Sequence, residues 1–518
     1  MASMLIRLRV GFASALLLPL LLAFGTESDA SRPKPVVILG FQANGYSFGA
    51  AVNADGRVVA FASAASNLVP GDTNRTLDVF VRDRKAGRTS RVSVANNGRQ
   101  ANGRSFDPAI SDDGRFVAFR SDATNLVSGD TNAASDVFVR DVVMGTTRRL
   151  SVGRVGSQGN ADSHSPSISG DGQLVVFTSS ASNLVQGDTN QAADVFVHDV
   201  GTGDTSRVSV SSEEEQAVVG AAKGTISANG RIVVFASASS NLVPEDRNAI
   251  PDIFLRDLGT GCTSRVNVSS NGEEASSKSD AGEPTVSGDG RIVGFGSFAR
   301  NLVRRDENES SDVFLHDERG ETTFASIASD GHQANGPSVA DAESISRDGR
   351  FVSFSSLATN LGSGNTGRTY QVFIRDRLIG KTDSVSLASN ASRANGVSGG
   401  SAVSADGKVI AFTSSASNLV RGDTNEADDV FVHDRLTGAT TRVSVGNADA
   451  QCRVPRLVGL SLRKARTRLT RAKCAMGRTR LSSSTQPRNR VLKQNPRAGS
   501  LIARLGRVRL VLSRGPSR

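Results

Sequence analysis

One succession of residues recurs seven times in this chain, and so fixed a period leaves few folds open. It begins Asp55-Gly56-Arg57-Val58-Val59-Ala60-Phe61, passes through Gly71-Asp72-Thr73-Asn74 and Asp78-Val79-Phe80-Val81-Arg82-Asp83, and ends Arg91-Val92-Ser93-Val94. The Asp/Asn-Gly pair returns at Asp113, Asp171, Asn229, Asp289, Asp348 and Asp406, in steps of 58, 58, 58, 60, 59 and 58 residues. Such a period means stacked supersecondary units, none of which can bury its apolar face alone.

Each copy holds four short runs rich in Val, Ile and Phe, roughly 50–53, 57–63, 78–83 and 89–94 in the first. Bounded by Gly, Asp, Asn and Ser, these read as strands, and no run shows helical spacing. Asp-Gly between runs one and two suits a two-residue hairpin, because both positions tolerate positive φ. Thr202-Gly203 and Thr437-Gly438 do the same between runs three and four. Seven four-stranded antiparallel sheets in succession predict an all-β fold, a seven-bladed β-propeller over residues 31–450.

The residues Ser111-Asp112-Asp113-Gly114-Arg115-Phe116-Val117-Ala118-Phe119 and Asp136-Val137-Phe138-Val139-Arg140-Asp141, with their equivalents in every copy, resemble the TolB-like family of WD-repeat-like propellers over about 36–445. TolB itself has six blades and a separate N-terminal domain, which this sequence does not show. The resemblance implies a binding scaffold more than any one activity. Fourteen of the 23 Phe residues fall at two places in the repeat, Phe61 to Phe412 in run two and Phe80 to Phe431 in run three. They are read as packing between blades, since large aromatics chiefly supply buried area.

Alternating strand direction puts the two tight turns of each copy on one face. The long Ser66–Asn74 loop and the Ala-Asn-Gly connections at Ala43, Ala101, Ala334 and Ala394 lie on the other. Long loops on a rigid scaffold carry binding, so that face is the candidate site. It repeats a D-x-N-x-x-x-D pattern at Asp72, Asn74 and Asp78; Asp130, Asn132 and Asp136; Asp188, Asn190 and Asp194; Asp246, Asn248 and Asp252; Asp306, Asn308 and Asp312; and Asp423, Asn425 and Asp429. Positions 1, 3 and 7 are ligand positions of the EF-hand, which makes Ca²⁺ a possible cofactor, although the EF-hand's glycine and final Glu are missing. The competing reading is Asx turns that cap the loop. In the sixth copy the three become Asn365, Gly367 and Gln371 together, so they work as a set.

Catalysis finds little support. The run that should line the bore ends in small residues, Ala51-Val52-Asn53, Ala109-Ile110-Ser111, Ser167-Ile168-Ser169 and onward to Ala402-Val403-Ser404, whereas a propeller glycosidase needs paired carboxylates. His198, His316 and His433 replace Arg82, Arg140, Arg256 or Arg375 at a strand position read as solvated and structural. His164 and His332 lie in polar loops. Gly396-Val-Ser-Gly-Gly400 lacks the helix that a nucleophile elbow requires.

The two ends differ from the repeats. Residues 1–30, with Arg7 and Arg9, an apolar Val10–Phe24 run and Ser28-Asp29-Ala30, read as a signal peptide cleaved near Ala30 and not as a membrane anchor. Residues 31–35 form a short extended lead-in, and Val36–Leu39 and 442–445 compete for the slot that closes the ring. After Asp449 the chain has no acid: residues 452–518 hold 19 Lys and Arg, which leaves −9 of the overall +10 for residues 1–451. An acidic disc thus carries a basic tail. Leu462, Ala465, Leu469 and Ala472 are helically spaced behind Ser461 as N-cap, and 490–494 and 507–512 alternate as strands. Val454-Pro-Arg-Leu-Val-Gly-Leu-Ser-Leu462, Val491-Leu-Lys-Gln-Asn-Pro-Arg-Ala-Gly499 and Val508 to Gly515 strongly resemble a PASTA domain, a small α+β module, here 451–515. Such domains occur in bacterial penicillin-binding proteins and receptor-type kinases, where they are implicated in binding peptidoglycan fragments. The tail contains no Phe, Tyr or Trp on which bases could stack, so nucleic acid is not an expected partner, while anionic wall polymers suit the charge.

Cys452 and Cys474 flank the first strand and the helix of this segment, a plausible disulfide in an exported protein that would contribute roughly 3 kcal/mol. Cys262 is expected to be unpaired. The reading is an exported, non-enzymatic envelope protein that docks to peptidoglycan or wall polyanions through its tail and presents the long-loop face to a protein or glycan. The alternative is an envelope polysaccharide hydrolase or lyase that uses loop-face carboxylates.

Overall fold

The computed structural model describes residues 41–516, except 249, 280–281, 363–368, 448–450, 473, 499 and 504–506. The signal peptide, the 31–35 lead-in, the Val36–Leu39 strand, Asn365 and Gly367 lie outside the described residues, as do the side chains of 451–453, 475 and 501–503. Among the described residues, each repeat folds into one four-stranded antiparallel sheet whose strands pair in chain order, beginning Ser47–Val52, Val58–Ser63, Asp78–Asp83 and Arg88–Arg91. Seven such sheets follow one another, and their first strands neighbour one another around a β-propeller.

Two circles of hydrogen bonds close the ring. At the inner end, Ala54 N donates to Asp112 O at 3.1 Å, Asp112 N to Gly170 O at 2.9 Å, and Gly170 N to Ala228 O at 2.8 Å. Asn229 N then donates to Gly288 O, Asp289 N to Arg347 O, Arg347 N to Ala405 O, and Ala405 N back to Ala54 O at 3.0 Å. Farther out, the fourth strand of each sheet places a Thr whose Oγ1 donates to the preceding sheet. Thr89 reaches Val445 O at 2.6 Å, Thr147 reaches Val94 O at 2.6 Å, and Thr322 reaches Val268 O at 2.5 Å.

The chain ends meet through a borrowed connection. In the first sheet the fourth strand runs on to a bridge between Val94 and Gln100, and the same bridge recurs between Val152 and Gln158 and between Val210 and Gln216. The last repeat stops at Val445, whose bridge partner is Gln42 from the start of the chain. Residues 41–46 therefore supply the four-to-one connection that the seventh copy lacks. Residues 439–442 are that copy's own fourth strand.

The Phe pairs are where the core sits. Phe61 lies opposite Phe80 in register, with ring centroids 5.8 Å apart and both side chains fully buried. This pair packs against Val430, Val432 and Val409 of the last sheet, and Phe119 with Phe138 packs against Val79, Val81 and Ala60 of the first. The expected inter-blade role holds. Each buried Phe contributes about 1.5–3 kcal/mol relative to exposure.

The Asp-Gly hairpins differ in detail from expectation. Only Gly56 adopts positive φ, at 71°, and the turn closes by Gly56 N donating to Asn53 O at 3.0 Å. Asn53 Oδ1 accepts from Val58 N, and in the next copy Ser111 Oγ donates to Asp113 and accepts from Phe116 N. A side-chain lock at the first turn position thus replaces the second left-handed residue of the two-residue hairpin.

The C-terminal segment forms helix Leu462–Arg471, capped by Ser461 Oγ, and a sheet in which Arg507–Ser513 lies between Ala475–Ser482 and Val491–Asn495. Its core is Val454, Leu457, Ala465, Leu469, Val491, Val508, Leu510 and Leu512 with Cys474.

Candidate functional site

The loop-face carboxylates surround a guanidinium. Arg91, on the fourth strand, ion-pairs with Asp72 at 3.0 Å and Asp78 at 3.5 Å, and the three side chains are 8%, 3% and 0% exposed. Asn74 Nδ2 donates to Asp78 at 2.9 Å and to Ala101 O at 3.0 Å, while Ser93 Oγ donates to Asp78 at 2.6 Å. Burial pushes Asp72 up to about 6, against the opposing pull of Arg91, and raises Asp78 as well.

The arrangement repeats as Arg149 with Asp130 and Asp136, Arg207 with Asp188 and Asp194, Arg265 with Asp246 and Asp252, and Arg442 with Asp423 and Asp429. Asn132, Asn190, Asn248 and Asn425 each donate to the second Asp of their copy. The set that the sixth copy loses together is now explained. Gln371 replaces the second Asp and accepts from Ser386 Oγ at 2.7 Å, and Ser384 occupies the arginine's place opposite Phe373. With the cation gone, the anions went too, because an unpaired charge at such a site is costly.

The fifth copy keeps its acids but has Phe324 in the arginine position, stacked on Phe314 at 5.2 Å. There Gln333 Nε2 donates to Asp306 at 2.7 Å and Asp312 at 2.8 Å, Asn308 donates to Asp312 at 2.8 Å, and burial pushes Asp312 up to about 6. Among the described residues no group of three or more His, Cys, Asp or Glu side chains is arranged to hold a metal. The arginines escaped the sequence reading although Arg91, Arg149, Arg207, Arg265 and Arg442 recur in register, because the acids were sought within one loop.

The amides of the long-loop face also serve the fold. Asn67 Oδ1 accepts from Asn44 N at 3.0 Å while Asn44 Oδ1 accepts from Ser66 N at 2.9 Å, and the clasp recurs between Asn102 and Asn125 and between Asn395 and Asn418.

The bore corrects a second expectation. Ser167 does line the bore, while Ser111, Ser169 and Ser404 are hairpin locks of the kind described above. The inner strands begin about three residues earlier than the run read from sequence, and they carry charge there. Asp107, Lys223 and Glu343 sit at or beside a β-bulge with φ of 51°, 59° and 55°, conformations uncommon outside glycine. Gly49 and Gly400 hold that place in the first and last sheets. The sixth inner strand, Ser338–Ile345, is eight residues long where the others described in full have six, and it adds Asp341. Glu283 precedes the fifth.

Asp341 Oδ2 accepts from Ser401 Oγ at 2.7 Å, Ser401 N at 3.1 Å and Ser355 Oγ at 3.0 Å. Lys223 Nζ donates to Gly282 O at 2.8 Å. Enclosure raises Asp107, Glu283 and Asp341. It pushes Glu343 up to about 8, with the Glu283 carboxylate adding to the effect.

The strand histidines are structural, His198 and His433 buried and His316 half-buried: His198 Nδ1 lies 2.9 Å from Thr205 Oγ1, and His316 and His433 repeat the contact with Thr322 and Thr440. Desolvation pushes His198 down to about 4. Cys262 is free and exposed, at the head of a fourth strand. In the C-terminal segment, Arg463, Lys464, Arg466, Arg468 and Arg471 of the helix are exposed, as are Arg478 and Arg480 on the neighbouring strand.

Residues 453–514 match the PASTA domain family model. This segment is a PASTA domain. The chain is therefore a β-propeller resembling TolB, followed by one PASTA domain. Among solved structures, TolB from Acinetobacter baumannii overlaps 53% of this chain and 55% of its own length, with 17% identity and a TM-score of 0.31. The chain thus spans about half the length of that TolB structure. The β-propeller domain of the Trilobed protease from Pyrococcus furiosus overlaps 79% and 98%, with 12% identity and a TM-score of 0.47. Oligogalacturonate lyase from Vibrio parahaemolyticus overlaps 77% and 91%, with 11% identity and a TM-score of 0.44. The propeller assignment rests on the closed ring of sheets, not on these overlaps. No curated protein matches the chain. No helix among the described residues is long and apolar enough to cross a membrane.

Proposed function

We propose that this is an exported, non-enzymatic binding protein of the cell envelope. Each four-stranded sheet is one blade, giving seven blades, and residues 1–30 are the export signal. The PASTA domain docks to peptidoglycan or to phosphate-bearing wall polymers. The long-loop face of the propeller meets a protein or glycan partner. One observation carries this reading: a PASTA domain whose helix and neighbouring strand expose cations and which contains no acid. A Cys452–Cys474 bridge staples that domain.

The test is retention on purified peptidoglycan. The full chain should be retained and a chain ending at Asn447 should not; equal retention would refute the role of the tail.

Calcium binding by the loop carboxylates stays a proposal, and Asp306 with Asp312 is the pair it fits, since no guanidinium stands there. Calorimetry with Ca²⁺ that gives no heat, together with unchanged melting, would end it. The polysaccharide hydrolase or lyase remains a second reading, favoured by the bore carboxylates in place of the loop-face ones. Loss of wall-polysaccharide turnover in Glu343→Gln would support it, and absence of turnover by the native chain would dispose of it.

A further inference from the structure

An ion pair crosses the tight-turn end of the bore. Seven residues ring its tight-turn mouth: Ala54, Gly170, Ala228, Gly288 and Ala405 are small, and the other two are Asp112 and Arg347. These two belong to the second and sixth sheets, yet Arg347 Nη2 donates directly to Asp112 Oδ2, so an ion pair spans the opening. At the pair lies a cavity of about 90 Å³, lined by Val52, Ile110, Ile345 and Val403, by the hydroxyl residues Ser167 and Thr225, and by Glu343.

No described residue answers that carboxylate. The Glu343 side chain makes no hydrogen bond or ion pair with any of them, and neither does the side chain of Glu283 nearby. Of the nearby cations, Lys223 donates to Gly282 O and lies within electrostatic reach of Glu283 but is not bonded to Glu343, Arg347 is held by Asp112, and Arg120 lies over Phe106 at 4.6 Å and hydrogen-bonds Ser135 at 2.9 Å. A carboxylate withdrawn from bulk water without a partner needs a countercharge or a proton. At roughly 30 Å³ per water, the space holds about three waters, room for a small headgroup. Inner strands run from the long-loop face toward the tight turns, so the open approach to Glu343 passes Glu283 on the long-loop side.

We propose that the bore is a binding pocket for a single organic cation, a primary ammonium carried by a small amine or by a lysine side chain, which enters from the long-loop mouth and pairs with Glu343. Glu283 attracts it at the entrance, and the Asp112–Arg347 pair stops it from passing through. This goes beyond wall docking, which the PASTA domain performs by itself, and the two can fail separately.

The experiment is calorimetric titration of the full chain with n-butylammonium, with a capped Gly-Lys-Gly peptide, with the same peptide Nε-acetylated, with n-butanol and with CaCl2. Binding of either ammonium ligand, absent for the acetylated peptide and for butanol and weakened about tenfold or more in Glu343→Gln, is the expected result. If only the peptide binds, the source is a lysine side chain; if butylammonium binds too, a free amine suffices. Glu283→Gln should weaken binding less. Glu343→Gln replaces a carboxyl that no described residue partners, so its melting temperature should not fall, and non-specific attraction to the acidic disc would survive in it. Undiminished binding by Glu343→Gln, equal binding of butanol, Ca²⁺ heat without ammonium heat that Glu343→Gln abolishes, or heat from no ligand overturns the proposal.

Discussion

Removing the guanidinium from one of the repeated triads tests whether it neutralises the carboxylates. In the second sheet Arg149 is 9% exposed and holds Asp130 at 3.3 Å, Asp136 at 3.2 Å and Gln158 at 3.0 Å, with the two carboxylates 2% and 1% exposed. Arg149→Ser strands two buried anions, and breaking a buried pair from one side costs about 3–5 kcal/mol. The sixth copy supplies the compensation, since its Asn, Gln and Ser do without the charge. The triple variant D130N/D136Q/R149S should therefore recover most of that loss. Burial already raises Asp130. Without the guanidinium it rises further, so the single variant should regain stability as pH falls and the carboxylates take up protons. Urea denaturation of the full chain followed by far-ultraviolet circular dichroism reads all three effects. A single-variant loss below about 1 kcal/mol, the worth of an exposed pair, would refute the reasoning. So would a triple variant as unstable as the single.

Asp312 is raised from 3.8 to about 6, so the folded state holds its proton where the unfolded chain has lost it. Its contribution is full below the unfolded value and is lost as pH rises through about 6, a loss on the order of 3 kcal/mol that Asp312→Asn should abolish in urea midpoints at pH 4 and 8. Phe119→Ala empties a fully buried site between the first two sheets and should cost about 3–5 kcal/mol in the same assay. Arg347→Ala breaks a pair whose side chains are 50% and 33% exposed, so stability should change by no more than about 1 kcal/mol. Retention on peptidoglycan should fall steeply with added salt if phosphate-bearing polymers are the ligand of the PASTA cations, because screened surface charges attract over a shorter range.

The repeat, its four strands, the Phe positions and the whole PASTA pattern could be read from residue order, because each is set by local alternation and by a fixed period. What escaped was set by geometry between segments. Arg91 lies 19 positions after Asp72, on another strand, and no spacing within the loop points to it. Asp107 was missed because a bulge breaks the two-residue alternation: it lies three residues before Ile110, so inward positions cannot be counted back to it. The Asp112–Arg347 pair joins residues 235 positions apart, visible only once the ring has closed. Gln42 could have been found: Gln42-Ala43-Asn44-Gly45 copies Gln100-Ala101-Asn102-Gly103, and a piece ahead of the first repeat that matches what the last repeat lacks announces a circle.

That circle underlies the disc, the bore and the shared loop face, and amide hydrogen exchange reads it directly. The Ala405 amide, donor to Ala54 O across the first and last sheets, and the Ala43 amide, donor to Ser444 O, should exchange as slowly as the Ala54 amide, whose bond joins neighbours in sequence. Exchange at Ala405 and Ala43 at the rate of an exposed loop, with Ala54 still protected, would mean an open array and would contradict the closed propeller.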